Sequence, residues 1–397
     1  MGEGWYVSDL NLDKSVMEGK TAPRTFKIYD TTLRDGEQTI GVAFPKEDKL
    51  KIARALDAAG VQRIEAGMPI VSREDQEAAE MIAHAGLKAE VWGFCRSNVK
   101  DVQACLDAGL KAVVCEIATS EYKMKAYGLD RETIKKRMLD AVTYAKEHGL
   151  YVAFFAVDAT RAPLDFLEEM YRGAVEKANA DEVVIVDTLG VATPEAMAYL
   201  TRKTQEWVNV PVMTHCHNDF GLGVACTLSS VMAGAHYAHV CVNGLGEKTG
   251  NADLAEIAVA ARLYGMNTGL NLKALYDLSK VVEEASGVAL SPLKPVVGAN
   301  VFKRESGVTV SQMVVYPPSV EGYSAEMVGR SREVLLSKKS GKASIEYMLG
   351  QFGLKASAEQ VDGILAEVKA LGVKLRSTVS PDQFREIAVR VIGGSRA

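Results

Sequence analysis

The first 280 residues alternate short apolar runs with amphipathic stretches of helical periodicity. The apolar runs have the length of buried strands, and the stretches between them are long enough for crossover helices. Two such helices are predicted at 46–59 and 131–148, each followed by a glycine where helices commonly end, Gly60 and Gly149. The eight apolar runs are residues 26–30, 63–66, 90–94, 112–117, 151–157, 182–187, 212–217 and 238–243.

Eight strands joined by crossover helices predict a (β/α)8 TIM barrel, an α/β fold in which parallel strands close on themselves. Beyond the eighth run the alternation stops, and a smaller, mainly helical C-terminal region is predicted, with Ser357 and Ser380 capping two of its helices. The expected parts are an N-terminal extension over 1–24, a TIM-barrel catalytic domain over 25–280, and a post-barrel linker and helical subdomain over 281–397.

The composition narrows the class of protein. The chain has 397 residues, of which 48% are hydrophobic and 24% charged, the balance of a globular enzyme. A net charge of −5 without a long basic run argues against nucleic-acid binding. The apolar runs fall short of the ~20 residues that span a bilayer, and residues 1–24 lack the pattern of a signal peptide. The six cysteines occur singly without a CxxC pair, so we expect reduced thiols and a cytoplasmic protein.

Polar residues gather where the predicted strands end, which is where TIM barrels carry their chemistry. His215 and His217 are two apart at the end of a strand, so their side chains leave the same face. Asp35 follows the first strand in a loop that Gly36 allows to turn sharply. Each motif alone could be structural, as a buried histidine or a salt-bridged loop. Together they predict a site for Mg²⁺, Mn²⁺ or Zn²⁺ with positions open to substrate.

A glycine-rich loop, NGLGEKTGN at 243–251, follows the eighth predicted strand. Its glycines would permit close backbone approach to a ligand, although such loops are weak signals by themselves. The chain carries neither a Walker A sequence nor a Rossmann fingerprint, so binding of nucleotide phosphates is not indicated.

These motifs together resemble those of the DRE-TIM metallolyase superfamily, and within it the homocitrate, 2-isopropylmalate, citramalate and Re-citrate synthases. The resemblance spans the chain, because VGANVFKRESG at 297–307 and VGRSREVLLSKKSG at 328–341 also look like the region that follows the barrel in these synthases. The barrel motifs, in family order, are DTTLRDGEQ at 30–38, IEAGMP at 64–69, DTLG at 187–190, THCHNDFGLG at 214–223 and NGLGEKTGN at 243–251.

The resemblance implies a role for each matching residue. Asp35, His215 and His217 would hold the metal, Asn251 would lie in or beside its shell, and Arg34 would face the carbonyl oxygen of a 2-oxo acid. Gln38 and Thr188 would bind the 2-oxo acid or orient the metal shell. Glu65 would support Arg34 or form a simple ion pair with it. The co-substrate would be an acyl-CoA, and the protein would form a homodimer. A regulatory domain that responds to leucine or isoleucine is not expected.

The sequence departs from the synthase pattern at the acid/base positions. Val157 stands where the synthases carry a Glu, and the post-barrel HxSGIH motif reads Arg304-Glu305-Ser306-Gly307-Val308-Thr309, so both of its histidines are absent. The tyrosine that accompanies them aligns near Val320, with Tyr316 and Tyr323 close by. The candidates for the missing base are Asp158, Tyr323 and Glu305. Arg161 and Arg304 could instead bind a second substrate carboxylate, or be structural arginines.

Three hypotheses follow from the sequence. The first is a metal-dependent acyl-CoA:2-oxo acid condensing enzyme that forms a product such as homocitrate, citrate or an alkylmalate. The second is a C–C bond lyase or aldolase of the same superfamily, although the loop at 243–251 lacks the cysteine that the thiol-dependent lyases carry there. The third is a catalytically silent structural paralogue, which would have no reason to retain a complete ligand set.

Overall fold

The computed structural model describes residues 4–18 and 25–394. Its centre is a closed barrel of eight parallel strands paired in sequence order, which confirms the predicted TIM barrel. The barrel strands are β1 (Lys27–Asp30), β2 (Arg63–Glu65), β3 (Glu90–Arg96), β4 (Ala112–Ala118), β5 (Tyr151–Val157), β6 (Glu182–Asp187), β7 (Val212–Cys216) and β8 (Tyr237–Val240). A parallel pair follows, formed by β9 (Lys303–Arg304) and β10 (Glu333–Val334).

Helices follow the barrel strands, as a parallel barrel requires. Those before and around the barrel are α1 (Lys14–Met17), α2 (Lys46–Ala58), α3 (Arg73–Ala83), α4 (Val99–Asp107), α5 (Glu121–Tyr127), α6 (Arg131–Glu147), α7 (Leu164–Arg172), α8 (Pro194–Trp207), α9 (Gly223–Met232), α10 (Leu254–Ala260) and α11 (Leu275–Ser286). The later helices are α12 (Gly307–Val315), α13 (Lys342–Gln351), α14 (Ala358–Leu375) and α15 (Pro381–Gly394). A π-helical turn, Gly173–Lys177, extends α7.

Most predicted strand limits agree with the observed ones to within two residues, and the eighth differs most. The prediction carried that strand to residue 243, whereas β8 ends at Val240. Asn243 has a φ of 61° inside the short turn Val242–Gly244. A left-handed residue cannot continue a β-ladder, so the chain leaves the barrel here and forms the glycine-rich loop over its mouth.

Side-chain alternation fills the barrel with apolar and aromatic residues. Phe94, Val114 and Phe155 belong to one buried cluster inside it. Because successive residues of a strand point to opposite faces, positions in phase with these three also face the interior. The rule places the last inward residue of each strand at the C-terminal mouth, where the polar residues gather.

The opposite end of the barrel carries a buried ion pair. Arg63 donates to both carboxylate oxygens of Glu182, at 2.6 and 3.1 Å, and its guanidinium lies 3.7 Å from the ring centroid of Tyr237. Tyr151 donates its hydroxyl to the same carboxylate at 2.8 Å. Arg63 and Glu182 are 5% and 1% exposed, and Arg63 also pairs with Glu90 at 2.7 Å, so it is the Glu182 charge that depends on Arg63 for compensation.

We expect Arg63→Met to destabilise the protein by about 3–5 kcal/mol, because the substitution leaves Glu182 buried without its cation. The free energy of unfolding in urea measures the effect. Lys136→Met is the matched control: Lys136 pairs with Asp140 on the surface, where its side chain is 74% exposed, and such pairs often contribute nothing measurable. Equal stabilities of the two variants would contradict the dependence of the buried Glu182 charge on Arg63.

The described residues form two compact units, one within 9–290 and a second that joins residues 4–8 to residues 291–394. The second unit has its own apolar core, which includes Val310, Ile345 and Phe384. Its helices α14 and α15 start with reciprocal side-chain caps from the two predicted serines, Ser357 and Ser380. Among the described residues, no helix has the length and apolar character needed to span a bilayer.

Candidate active site

Three side chains meet at the C-terminal mouth of the barrel. Asp35 comes from the loop after β1, His215 from β7, and His217 from the residue that follows β7. The His215 and His217 Nε2 atoms lie 3.4 and 3.8 Å from the Asp35 Oδ2 atom, and one ligand atom of each residue lies within 4.8 Å of the others. All three are buried, so the strand alternation that the sequence predicted does place both imidazoles beside this carboxylate.

Asn251 completes the cluster from the glycine-rich loop. Its Nδ2 atom donates to Asp35 Oδ1 at 2.9 Å and to the carbonyl oxygen of Leu245 at 3.1 Å. Its Oδ1 atom is buried and has no hydrogen-bond partner among the described residues. An unpartnered amide oxygen, a carboxylate and two imidazoles form a donor set that suits a divalent cation, so the residues present fit the metal that the sequence implies.

Electrostatics keep these donors unprotonated near neutral pH. Burial lowers the pKa of His215 and lowers the pKa of His217 to about 3, so both rings retain a free lone pair. Burial alone would raise the pKa of Asp35. The Arg34 guanidinium and the two histidines outweigh that effect and hold the pKa well below its usual range.

Arg34 is fixed beside the cluster by two carboxylates. Its Nη1 atom donates to Asp35 Oδ2 at 2.7 Å and its Nη2 atom to Glu65 Oε2 at 3.3 Å, while the guanidinium lies 4.0 Å from the ring centroid of Phe94. Its Nε atom is buried without a partner among the described residues. Burial raises the pKa of Glu65 to about 7, although Arg34 opposes that rise. The arrangement presents a rigid cation within reach of anything bound at the cluster.

Asp158 and Arg161 bind each other. Arg161 donates from Nε and Nη2 to the Asp158 carboxylate, at 2.9 and 2.6 Å, and Ser120 donates a short hydrogen bond to the same group. The Thr188 hydroxyl accepts from the Asp158 backbone N–H at 2.8 Å. Asp158 is fully buried, so its oxygens are engaged in holding Arg161 in place.

The other predicted site residues lie apart from these groups or in the second unit. Gln38 is exposed in the loop after Asp35. Within the second unit, Arg304 donates to the backbone carbonyl oxygens of Val301, Lys303 and Val320, which supports its interpretation as a structural arginine.

Two candidate bases of the second unit have partners inside that unit. The Tyr323 ring packs against Trp5 and Phe302, with centroid distances of 5.8 and 5.7 Å, and burial raises the pKa of Tyr323 to about 12. Glu305 pairs with Lys339 at 2.5 Å. At neutral pH the Tyr323 hydroxyl is therefore protonated, and Glu305 is held by a cation.

Two further groups at the mouth were missed by the sequence reasoning. Lys248 Nζ lies 3.2 Å from His217 Nδ1 and donates to the carbonyl oxygen of Thr188 at 3.1 Å. Glu116 lies on β4, in phase with Ala112 and Val114, which face the barrel interior. The alternation along β4 was a signal that could have indicated Glu116, whereas the loop around Lys248 carries no such periodicity.

Comparison with known proteins identifies the family. The HMGL-like family model matches residues 25–282, which is more than half of the chain. The chain belongs to the HMGL-like family. A second model, described as homocitrate synthase post-HMGL domain-like, matches residues 296–375. The predicted membership of the DRE-TIM superfamily is therefore confirmed.

Relatives of this HMGL-like protein are named as synthases. It is 43% identical to homocitrate synthase AksA of Methanopyrus kandleri, covering 92% of each chain. It is also 43% identical to the probable 2-isopropylmalate synthase of Ignicoccus hospitalis, covering 94% of each chain. The putative (R)-citramalate synthase CimA of Archaeoglobus fulgidus is 43% identical over 90% of this chain and 73% of its own length. The three names give different products, so they support a condensing synthase as the class of enzyme and do not single out one substrate.

Solved structures show the same barrel at lower identity. The HMG-CoA lyase of Bacillus subtilis superposes with a TM-score of 0.64 at 18% identity, covering 70% of this chain and 98% of its own. The lyase from Pseudomonas aeruginosa gives a TM-score of 0.60 at 22% identity, over 70% of this chain and 98% of its own. These likenesses support the fold alone.

Proposed function

We propose that this protein is a metal-dependent acyl-CoA:2-oxo acid condensing enzyme, which forms a C–C bond between the α-carbon of the thioester and the 2-oxo carbon. The observation that carries the proposal is the buried cluster of Asp35, His215 and His217 with Arg34 fixed beside it. The synthase names of its relatives and the post-barrel family match support the same direction of reaction.

Asp35, His215, His217 and the free Oδ1 atom of Asn251 would hold the cation. When bound, a divalent cation acts as a Lewis acid that polarises a carbonyl oxygen. Arg34 is the chain's own contribution to this polarisation: its charge is permanent, and two carboxylates fix its position before substrate arrives. Negative charge that develops on the 2-oxo oxygen would therefore meet an oriented cation, with no reorganisation needed at that moment.

Arg161 is suited to a second substrate carboxylate. Asp158 engages its Nε and Nη2 atoms, and Tyr122 lies under the guanidinium at 4.4 Å, so the side chain is held in place while its Nη1 atom has no hydrogen-bond partner among the described residues. The guanidinium remains partly exposed, with 26% of its side-chain surface accessible. This supports a dicarboxylic 2-oxo acid, such as oxaloacetate or 2-oxoglutarate, as the acceptor.

The direct test is thiol release. We expect purified protein with Mg²⁺, Mn²⁺ or Zn²⁺, acetyl-CoA and one member of a 2-oxo acid panel to release free CoA thiol, measured with a thiol-reactive dye. A chelator should remove the activity and the metal should restore it. Thiol release that is indifferent to every 2-oxo acid would indicate simple thioester hydrolysis.

The same panel distinguishes the other hypotheses. Absence of thiol release, combined with cleavage of hydroxyacyl-CoA esters or 3-hydroxy acids, would contradict the proposal in favour of a lyase or aldolase. Metal binding without either activity would favour the silent paralogue. The metal content of each preparation should be measured in parallel, so that an unloaded site is not mistaken for an inactive one.

A further inference from the structure

Glu116 lies on the strand next to Val157, the position at which the resemblance to the synthases predicts a Glu. On β4 it pairs in register with Phe155 of β5, and the next inward pair along these strands is Ala118 with Val157. Phe155 lies in the barrel interior, so Glu116 points the same way, into the mouth. The chain therefore lacks a carboxylate at Val157 and has one on the adjacent strand, one inward layer below.

The surroundings of Glu116 leave its carboxylate available. The residue is partly buried, and its side chain makes no hydrogen bond or ion pair with any residue in 4–18 or 25–394. It lines a cavity of about 680 Å³ together with Arg96, Tyr127 and Val157. Arg137 and Asp140 of α6 also line this cavity, whereas Asp35, His215 and His217 do not. A molecule in the cavity can reach the Glu116 carboxylate without breaking a protein contact.

The other carboxylates in this half of the mouth are engaged. Asp158 is held by Ser120 and by two nitrogens of Arg161, and Glu65 Oε2 accepts from Arg34. Arg34 directs its Nη atoms to Asp35 and Glu65, so it does not hydrogen-bond Glu116. A group that removes a proton from carbon needs a free lone pair. Glu65 retains one on its Oε1 atom but is fully buried, whereas Glu116 is partly exposed and lines the cavity.

Charged groups on four elements shift the pKa of Glu116. Burial raises the pKa of Glu116, and Asp101 of α4 adds to the rise. The rise is opposed by three cations: Arg34 from the loop after β1, Arg96 at the end of β3 and Lys123 of α5. A carboxylate with a raised pKa is a stronger base than an ordinary one once it is ionised.

We propose that Glu116 is the catalytic base that accepts a proton from the α-carbon of the acyl-CoA, an inference that rests on the condensing function proposed above. The C–H bond of the thioester breaks, the proton bonds to a Glu116 carboxylate oxygen, and the electron pair moves into the thioester enolate. The enolate carbon bonds to the 2-oxo carbon, whose π pair moves to oxygen and takes a proton from solvent. Water then hydrolyses the thioester to a carboxylate and free CoA thiol, while Glu116 returns its proton to solvent.

Glu116→Gln in the metal-loaded enzyme is the test. We expect kcat to fall about 100- to 10,000-fold, the usual contribution of a placed base, with little change in the KM of the 2-oxo acid. The deuterium isotope effect with acetyl-CoA labelled on the methyl group should increase, because proton removal becomes slower than every other step. The pH profile of kcat/KM should rise through the Glu116 pKa in the wild type and lose that acid limb in the variant.

Two variants and one control distinguish loss of the base from a loss of activity caused by misfolding. Glu116→Asp retains the charge at shorter reach, so it should keep the acid limb while kcat falls, and it serves if the glutamine variant does not fold. Adding Val157→Glu to Glu116→Gln returns a carboxylate to the neighbouring strand and should recover at least about tenfold in kcat. Glu132→Gln is the control, since Glu132 is 80% exposed on α6 and pairs with Lys135; its rate should stay within about twofold of wild type.

The outcomes separate the two proposals. A wild-type enzyme that turns over while folded Glu116→Gln keeps its rate and isotope effect would overturn the assignment of Glu116 and leave the condensing function intact. A metal-loaded wild type that releases no thiol with any 2-oxo acid would overturn both. A large loss of rate with an unchanged isotope effect and a retained acid limb would show that Glu116 only maintains the shape of the mouth, which also overturns its role as base.

Discussion

Asp35→Ala is expected to abolish tight metal binding and all turnover. The Asp35 carboxylate faces both histidines and accepts from Arg34 and Asn251, so its loss removes an anionic ligand and frees the two groups that it orients. Loss of an outer-shell partner typically costs about 10- to 100-fold in metal affinity, and a ligand that also organises its neighbours should cost more. His217→Ala should give the same phenotype. Equilibrium dialysis followed by elemental analysis measures the bound metal.

A neighbouring buried aspartate provides the matched control. Asp30 ends β1, is fully buried, and accepts from the backbone and hydroxyl of Thr32 at 2.9 and 3.0 Å. Burial raises its pKa to about 7, so Asp30→Asn replaces a group that is partly neutral at that pH. We expect Asp30→Asn to bind metal normally. Wild-type metal content or measurable thiol release in Asp35→Ala would refute the ligand assignment.

The barrel and its strand ends were predictable because their signals are local. Apolar run length, helical spacing and the glycines that end helices are readable within a dozen residues, and the eight runs match eight strands. The proximity of Asp35 to His215 and His217 could be expected for the same reason, since the C-terminal ends of all strands of a parallel barrel meet at one mouth. Whether these residues hold a metal stays a prediction that binding measurements must test.

The pairings around the mouth were not predictable, because they depend on register and rotamers across distant strands. Asp158 was a candidate base from its position after β5, yet it is engaged by Ser120, which lies 38 residues earlier, and by Arg161. Alternation could have placed Glu116 on the inner face of β4, but it could not show that the carboxylate has no partner, because periodicity gives the face of a strand and not the charges opposite it. The relevant neighbours, Arg34 and Arg96, come from two other strand ends.

The glycines of the loop at 243–251 have a structural role that the sequence did not predict. The sequence suggested glycines that allow a ligand to approach, whereas in the structure the close approach is by the chain itself. A Cβ on Gly250 would lie 1.8 Å from the carbonyl oxygen of Gly244, and a Cβ on Gly246 would lie 2.2 Å from Asn251 Nδ2 and 3.0 Å from Asp35 Oδ1. The glycines therefore let the loop fold against the Asp35 carboxylate and the Asn251 amide, which makes the loop part of the candidate site.

Gly246→Ala should consequently weaken metal binding, although Gly246 itself supplies no ligand. Gly246 has a φ of 146°, a conformation that is strained for any residue with a Cβ, and the added methyl would displace the Asn251 amide and press on the Asp35 carboxylate. We expect metal affinity to fall about 10- to 100-fold, the range seen when groups that orient ligands are disturbed, and thiol release to fall with it. Metal titration at a fixed protein concentration measures the affinity.

Gly221→Ala separates crowding from backbone strain. Gly221 also has a positive φ, 71°, but a Cβ there meets no described atom within 4 Å. Its substitution should cost roughly 1–2 kcal/mol of stability, the price of left-handed backbone, and leave metal affinity unchanged. If both alanine variants bind metal as the wild type does, the loop does not press on the cluster and Asn251 is not positioned by Gly246. If both lose metal equally, the strain of the backbone is responsible, and the contact between residue 246 and Asn251 is not.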